Sequence, residues 1–196
     1  MATKLEAKPF IDGLELSQDK DSAPFPIFKG LKFILAVSGI GKTNAAMAAT
    51  YCCIKFNHAI ILNFGSAGAN DKTLSAGEVF QISKIYESDR PDLSDFKPYV
   101  HNPATLNNFK SVDLSTKDRP MILNKERKKI SSYAPLSDME AASICQVCKH
   151  FNVKFIAFKF VSDTPGHKKA DDIISNIKKY RQNFFEFFKQ NILPLL

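Results

Sequence analysis

Four short stretches of this sequence gather the residue types that chemistry needs. SGIGK (Ser38 to Lys42) follows an apolar run, and NFGSAGAN (Asn63 to Asn70) is small and glycine-rich. SDME (Ser137 to Glu140) brings two carboxylates to a helix start, and VSD (Val161 to Asp163) ends an apolar run in a carboxylate. With alanine allowed for the first glycine, Ala36 to Thr43 fits the spacing G-x-x-x-x-G-K-[ST]. In that motif backbone amides hold phosphates, lysine adds charge and Ser/Thr holds magnesium. A triphosphate site also needs a strand that ends in a metal-holding aspartate, and the next apolar run ends instead in Asn63, Phe64 and Gly65. Ligands in open α/β sheets sit beyond the carboxyl ends of strands, which puts Ser38, Ser66 and Asp163 in reach of one cleft.

The elements that must position these stretches alternate. LKFILAV (31–37) reads as a buried strand, Thr43 to Phe56 as an alanine-rich helix and AIILNFG (59–65) as a strand, a unit that suggests parallel pairing. Residues 77–87 are strand-like, the proline-rich 89–110 a loop, and 110–118 a short strand. Helices follow at Lys125 to Tyr133 and Met139 to Phe151, then the strong strand 153–163. Lys169 to Leu193 carries Ile173, Ile177, Tyr180, Phe184 and Phe188 at helical spacing, as an amphipathic closing helix packed on the core does. The sum is one α/β domain over 1–196, with helices covering a mostly parallel sheet.

Composition narrows the function classes. The chain has 196 residues, 44% of them apolar and 24% charged, as in ordinary globular proteins. No apolar run approaches the roughly 20 residues of a membrane helix, and MATKLEAKPF lacks the apolar core of a signal peptide, so a cytoplasmic location is expected. The net charge is +7, and its densest cluster is NKERKK (Asn124 to Lys129). With Glu126 inside it and no interleaved aromatics, this cluster reads as a solvated helix face, not a nucleic-acid patch. Cys52, Cys53, Cys145 and Cys148 lie in apolar-periodic helical stretches and read as core thiols, with no metal site expected.

Taken together, SGIGKTNAAMAATY, NFGSAGA, GEVFQISKIYE, DMEAASICQVCKHFNVKFIAF and VSD resemble, in order and spacing, the purine nucleoside phosphorylase and nucleosidase superfamily. The likeness is greatest to its methylthioadenosine/S-adenosylhomocysteine nucleosidase branch. The resemblance implies a three-layer α/β/α fold with a mixed, mostly parallel central sheet, a homodimer, a purine nucleoside as substrate and no cofactor. It also implies that SGIGK is a turn beside the ribose and binds no triphosphate.

Cleavage of an N-glycosidic bond passes through an oxocarbenium-like ribose, so the leaving base needs a proton and the attacking water a base. By the resemblance, Asp163 protonates the purine N7 with Ser162 beside it, and Glu6 activates the water. Glu140 accepts hydrogen bonds from the ribose hydroxyls, Met139 packs on the sugar, and Ser66 with Gly65 lies near ribose and water. Met121 and Ile122 contact the base, and Lys159 stands where the nucleosidases carry an arginine that helps place the water. In the family an apolar strand leads into the glutamate; this chain has Met1 to Leu5 before Glu6. Bacterial phosphorylases place an arginine where this sequence has Asn63, so hydrolysis is expected. The expected activity is release of an adenine-type base from a 5′-substituted nucleoside. The alternatives are a phosphorylase, with Lys159 or Lys42 supplying charge for the anion, or a nucleoside-binding member without turnover.

Overall fold

Runs of β-branched and aromatic residues build a six-stranded sheet in the computed structural model, which describes residues 1–20, 24–56, 60–166 and 170–196. Its strands are β4 (Ile60–Ala69), β5 (Val79–Pro91), β6 (Pro98–His101), β7 (Ser111–Thr116), β8 (Leu136–Asp138) and β9 (Lys154–Asp163), in the order β6-β5-β7-β8-β4-β9. A further pairing of β5 with β9 closes five of these strands on one another. The sheet is mixed: β5–β7, β7–β8 and β4–β9 run parallel, and β5–β6, β4–β8 and β5–β9 run antiparallel. In β9 every side chain after Lys154 is buried, which fits its nearly unbroken apolar run.

The N-terminal part departs from the expected strand-helix-strand unit. Helix α1 (Lys4–Gly13) is followed by a separate antiparallel sheet of β1 (Ser17–Asp19), β2 (Ile27–Lys29) and β3 (Ile34–Ala36). The 31–37 stretch is therefore not a buried strand paired with the next one. Leu31 is exposed, Ile34 is 45% exposed, and β3 pairs with β2. An apolar run signals extended backbone but not its partner. Here a tight turn in which Gly30 donates its N–H to the Phe33 carbonyl folds 31–37 back on β2. Between β3 and β4 lies a cavity of about 630 Å³ lined by Leu35, Ala48, Asn63, Phe64 and Phe188, among others. The expected loop 89–110 contains β6, an edge strand that begins at Pro98, where a missing N–H costs no ladder bond. Ala59 and Lys169, the expected first residues of a strand and of the closing helix, lie outside the described residues.

Helices cover both faces. On one, α2 (Lys42–Lys55) packs against α4 (Ala141–His150), and Ala45, Ala49, Cys145 and Cys148 share a core with β-sheet residues. Burial pushes the Cys145 and Cys148 thiols up to about 11 and about 12, so they pack as neutral apolar groups. On the other face α1 meets α5 (Ala170–Phe187), which continues into a π-helical turn at Phe188–Ile192 and a 3-10 turn at Leu193–Leu195. The phenylalanine stripe of α5 and the turn after it is core: Phe184 and Phe188 pack edge-to-face or tilted against Phe10 and Phe64 at ring distances of 5.3–5.9 Å.

Candidate active site

The first residues of the chain bring Glu6 into the interior. Thr3 caps α1 through its side chain, and Glu6, three positions on, closes a capping box. The Glu6 side chain is held on both oxygens. Oε2 accepts from the Thr3 N–H (3.1 Å) and hydroxyl (2.7 Å), while Oε1 accepts from the Ser66 N–H and hydroxyl (both 2.8 Å). These four donors match the acceptor capacity of a carboxylate. A water can enter only where one of the two hydroxyls turns away. Gly65 lets the carboxylate come this close to β4, because a Cβ there would lie 3.2 Å from Glu6 Oε1 and 3.9 Å from Lys159 Nζ.

Asp163 is placed by the pairing of β4 with β9. Gly65 stands opposite Lys159 and Gly68 opposite Asp163, with a register shift that leaves Ser162 as the extra residue. Bulges of this kind re-aim side chains. The two glycines are three positions apart on the strand, about 10 Å at the usual rise. Asp163 Oδ1 accepts the Ser162 hydroxyl at 2.7 Å, and Oδ2 accepts from the Arg127 guanidinium. A Cβ on Gly68 would lie 2.9 Å from Asp163 Oδ2, so only glycine leaves this approach free.

Beside Glu6 sits a charged cluster. Lys159, 1% exposed, pairs its ammonium with Asp138 Oδ2 at 2.9 Å. Burial opposes its charge, but Asp138, Glu140 and Glu6 outweigh that and hold its pKa above the ordinary lysine value. Asp138 also accepts from the Thr116 hydroxyl and from the Ala141 N–H at the start of α4. Burial, with repulsion from Asp138, pushes the Glu140 carboxyl up to about 7. Glu140 Oε1 accepts the Gly41 N–H at 2.9 Å.

That last bond decides the SGIGK turn. The backbone N–H groups at the start of α2 are taken by the chain's own carboxylates: Gly41 bonds Glu140, and Lys42 bonds Asp118 Oδ1 at 2.8 Å. The Lys42 ammonium is spent on Glu87 (3.0 Å) and Asp89 (2.7 Å). Phosphate binding by this loop would have to displace two backbone bonds to carboxylates and two ion pairs.

The structure therefore brings Glu6, Gly65, Ser66, Glu140 and Lys159 to one centre and Ser162 and Asp163 to its neighbour. Met139 lies half-buried between Asp138 and Glu140. Met121 is buried among Ile130, Ala134, Tyr86 and Tyr133 under α3 (Asn124–Ile130), whereas the Ile122 side chain is 50% exposed. Two participants escaped the sequence reading, Thr3 and Arg127, and Asp138 was read only as one of two carboxylates at a helix start. The spacing Thr3-x-x-Glu6 was a legible capping signal. Arg127 corrects the reading of NKERKK as a solvated face. Lys125, Lys128 and Lys129 are exposed, but Arg127 is 2% exposed and bonds Asp163 and the Ala69 carbonyl.

Known proteins share sequence and fold with this chain. The 5′-methylthioadenosine/S-adenosylhomocysteine nucleosidase of Staphylococcus epidermidis is 33% identical over 164 residues, 70% of this chain and 71% of that protein. Among solved structures, futalosine hydrolase of Helicobacter pylori superposes with a TM-score of 0.85 at 20% identity, over 100% of this chain and 95% of the other. The 5′-methylthioadenosine nucleosidase of Arabidopsis thaliana in its apo form gives 0.84 at 21% identity, over 100% and 96%. Residues 24–118 and 115–192 match the phosphorylase superfamily, and with the fold and these relatives the chain belongs to that superfamily.

Proposed function

We propose that the protein is a purine nucleoside N-ribosyl hydrolase that releases the base from a 5′-substituted nucleoside such as methylthioadenosine or S-adenosylhomocysteine. The observation that carries this reading is a pair of buried carboxylates, each held by a serine hydroxyl, Glu6 by Ser66 and Asp163 by Ser162, that meet β4 at Gly65 and Gly68, positions about 10 Å apart at the usual rise. A nucleoside lying between them meets a base on one side and an acid on the other. The ion pair of Asp163 with Arg127 opens as the base enters, and the carboxyl, having taken up a proton, gives it to N7 as the glycosidic electrons pass to the purine. Water then bonds to the anomeric carbon and its proton goes to Glu6. Glu140 holds the ribose hydroxyls with Met139 against the sugar, and Met121 and Ile122 border the base. Lys159 supplies the positive charge that keeps three neighbouring carboxylates compatible. The relatives' names support this substrate class, and the absence of an arginine at Asn63 supports water over phosphate.

The test is adenine release from methylthioadenosine with and without phosphate, beside Asp163→Asn. Equal release in both buffers, lost in the variant by at least about a hundredfold, is expected for an acid of this kind. Release that depends on phosphate would mean a phosphorylase instead. The same reading takes 1–196 as one domain acting as a homodimer, which light scattering on the purified chain checks. A cytoplasmic location fits four cysteines that form no disulfide, and no helix among the described residues is long and apolar enough to cross a membrane.

A further inference from the structure

The six-stranded sheet and the small N-terminal sheet face each other across the cavity of about 630 Å³, with no strand between β3 and β4 among the described residues. β4 pairs with β9 from Ile60 to Gly68, but on its other edge only Gly68 and Ala69 pair, with β8. The Ser66 N–H points to that other edge, where it meets Glu6. Backbone groups alternate from edge to edge along a strand, so those of Phe64, Leu62 and Ile60 point the same way, toward the cavity. β3 offers a second such edge. Gly30 donates its N–H to the Phe33 carbonyl and Val37 to the Pro26 carbonyl, which makes Phe28 and Leu35 the bonded pair between them. Ile34 and Ala36 therefore turn their backbone groups away from β2. A ladder already starts on this edge: the Met1 amino group donates to the Ala36 carbonyl and the Ser38 N–H to the Met1 carbonyl, both at 3.0 Å, the pattern of a parallel bridge between Met1 and Val37. Toward Ile34 that ladder stops.

The walls of the cavity state the chemistry of its occupant. Ala45, Ala48 and Ala49 of α2 line one side and Phe10, Phe33 and Phe188 the other, so a strand lying here is apolar on both faces. Asn63, 4% exposed, lines the cavity and keeps its Oδ1 without a hydrogen-bond partner among the described residues, an acceptor open to a donor from the occupant. Lys32 is the one charged side chain on the lining among the described residues; it is exposed at the rim with Ile34 and Leu196, so the cavity opens to solvent and an acidic residue flanking the apolar run meets opposite charge. An aliphatic molecule would fill the space but leave both strand edges and Asn63 unmet, whereas an extended peptide meets all three. We propose that the cavity is a strand-addition site, which takes an extended apolar segment of a partner polypeptide, flanked by an acidic residue, as a strand between β3 and β4 that continues the Met1–Val37 bridge. The edge from Ile60 to Phe64 gives it a length of about five residues.

Fluorescence anisotropy with two labelled peptides tests it. The first alternates valine and alanine over five residues between glutamates, so that valines can face the alanines of α2 and alanines the phenylalanines. The second is the same peptide N-methylated at every second amide, which keeps the apolar surface but loses the donors of one edge. The wild type is expected to bind the first at least about tenfold more tightly, because more than one ladder bond is lost in the second. Two variants away from the nucleoside machinery localise the effect. Ala36→Pro removes an N–H that β2 does not use, so the hairpin stays while affinity for the first peptide falls about tenfold. Ala48→Phe fills the cavity and abolishes binding. Melting curves show whether each variant is folded, and if neither is, the two peptides on the wild type decide alone. Equal affinity for both peptides, or binding of neither, overturns the proposal. In the second case decanoate binding by calorimetry makes the cavity a site for aliphatic ligands, and self-association of the chain that Ala48→Phe abolishes makes the occupant a second copy.

Discussion

Lys159 is the residue on which the others at the centre depend. Its ammonium faces Asp138 directly and acts on Glu140 and Glu6, all four groups being buried. Removing one partner of a buried ion pair leaves uncompensated charge, so Lys159→Met is expected to lower unfolding stability by about 3–5 kcal/mol in urea titration. Glu140 answers to pH. Its carboxyl, pushed from 4.5 to about 7, keeps a proton in the folded state that the unfolded chain releases earlier. The stability it contributes is therefore present below about 4.5 and falls as pH rises to about 7. Over the upper part of that window its capacity to accept from ribose hydroxyls grows. The KM for a nucleoside should decrease as pH rises through about 7, and Glu140→Gln should flatten that profile.

At the scale of elements, α1 matters through its first turn. The Thr3 hydroxyl accepts from the Glu6 N–H and donates to the Glu6 carboxylate, so one side chain both caps the helix and aims the group assigned to activate water. Thr3→Ala is expected to cost about 1 kcal/mol of stability. It should lower kcat more than it raises KM, because the carboxylate loses orientation while the base and ribose contacts stay. The pairing of β4 with β9 has a matching role at the other end. Its register shift at Ser162 sets Asp163 opposite Gly68, a placement that an unbroken ladder would have given to Ser162.

Across the whole molecule the candidate site draws on α1, the turn before α2, β4, α3, β8 and β9. A ligand bound there is in contact with parts that separate only when the fold is lost, so binding stabilises the native state as a unit. A non-hydrolysable methylthioadenosine analogue at 100 times its Kd should add about 2.7 kcal/mol, read as a rise in the melting temperature. Magnesium ATP should leave the melting temperature unchanged, since the amides and lysine of the SGIGK turn are already engaged by Glu140, Asp118, Glu87 and Asp89.

The sequence by itself displayed most of the alternation of strands and helices from 42 onward, the core role of Cys145, Cys148 and the phenylalanine stripe, and, through resemblance, the superfamily. These depend on local periodicity and on residue types in order, both of which a chain displays along its length. Tertiary structure alone decided the rest. The partner of 31–37 was set by a turn and a neighbouring strand, not by its apolar content. Arg127 carries the same charge as its exposed neighbours, and only the meeting of α3 with the end of β9 buries it against Asp163. Asp138 looked like a helix-start acid until β8 and β9 brought it to Lys159. Long-range pairing of charges leaves no mark on local pattern, because each partner taken alone is an ordinary polar residue.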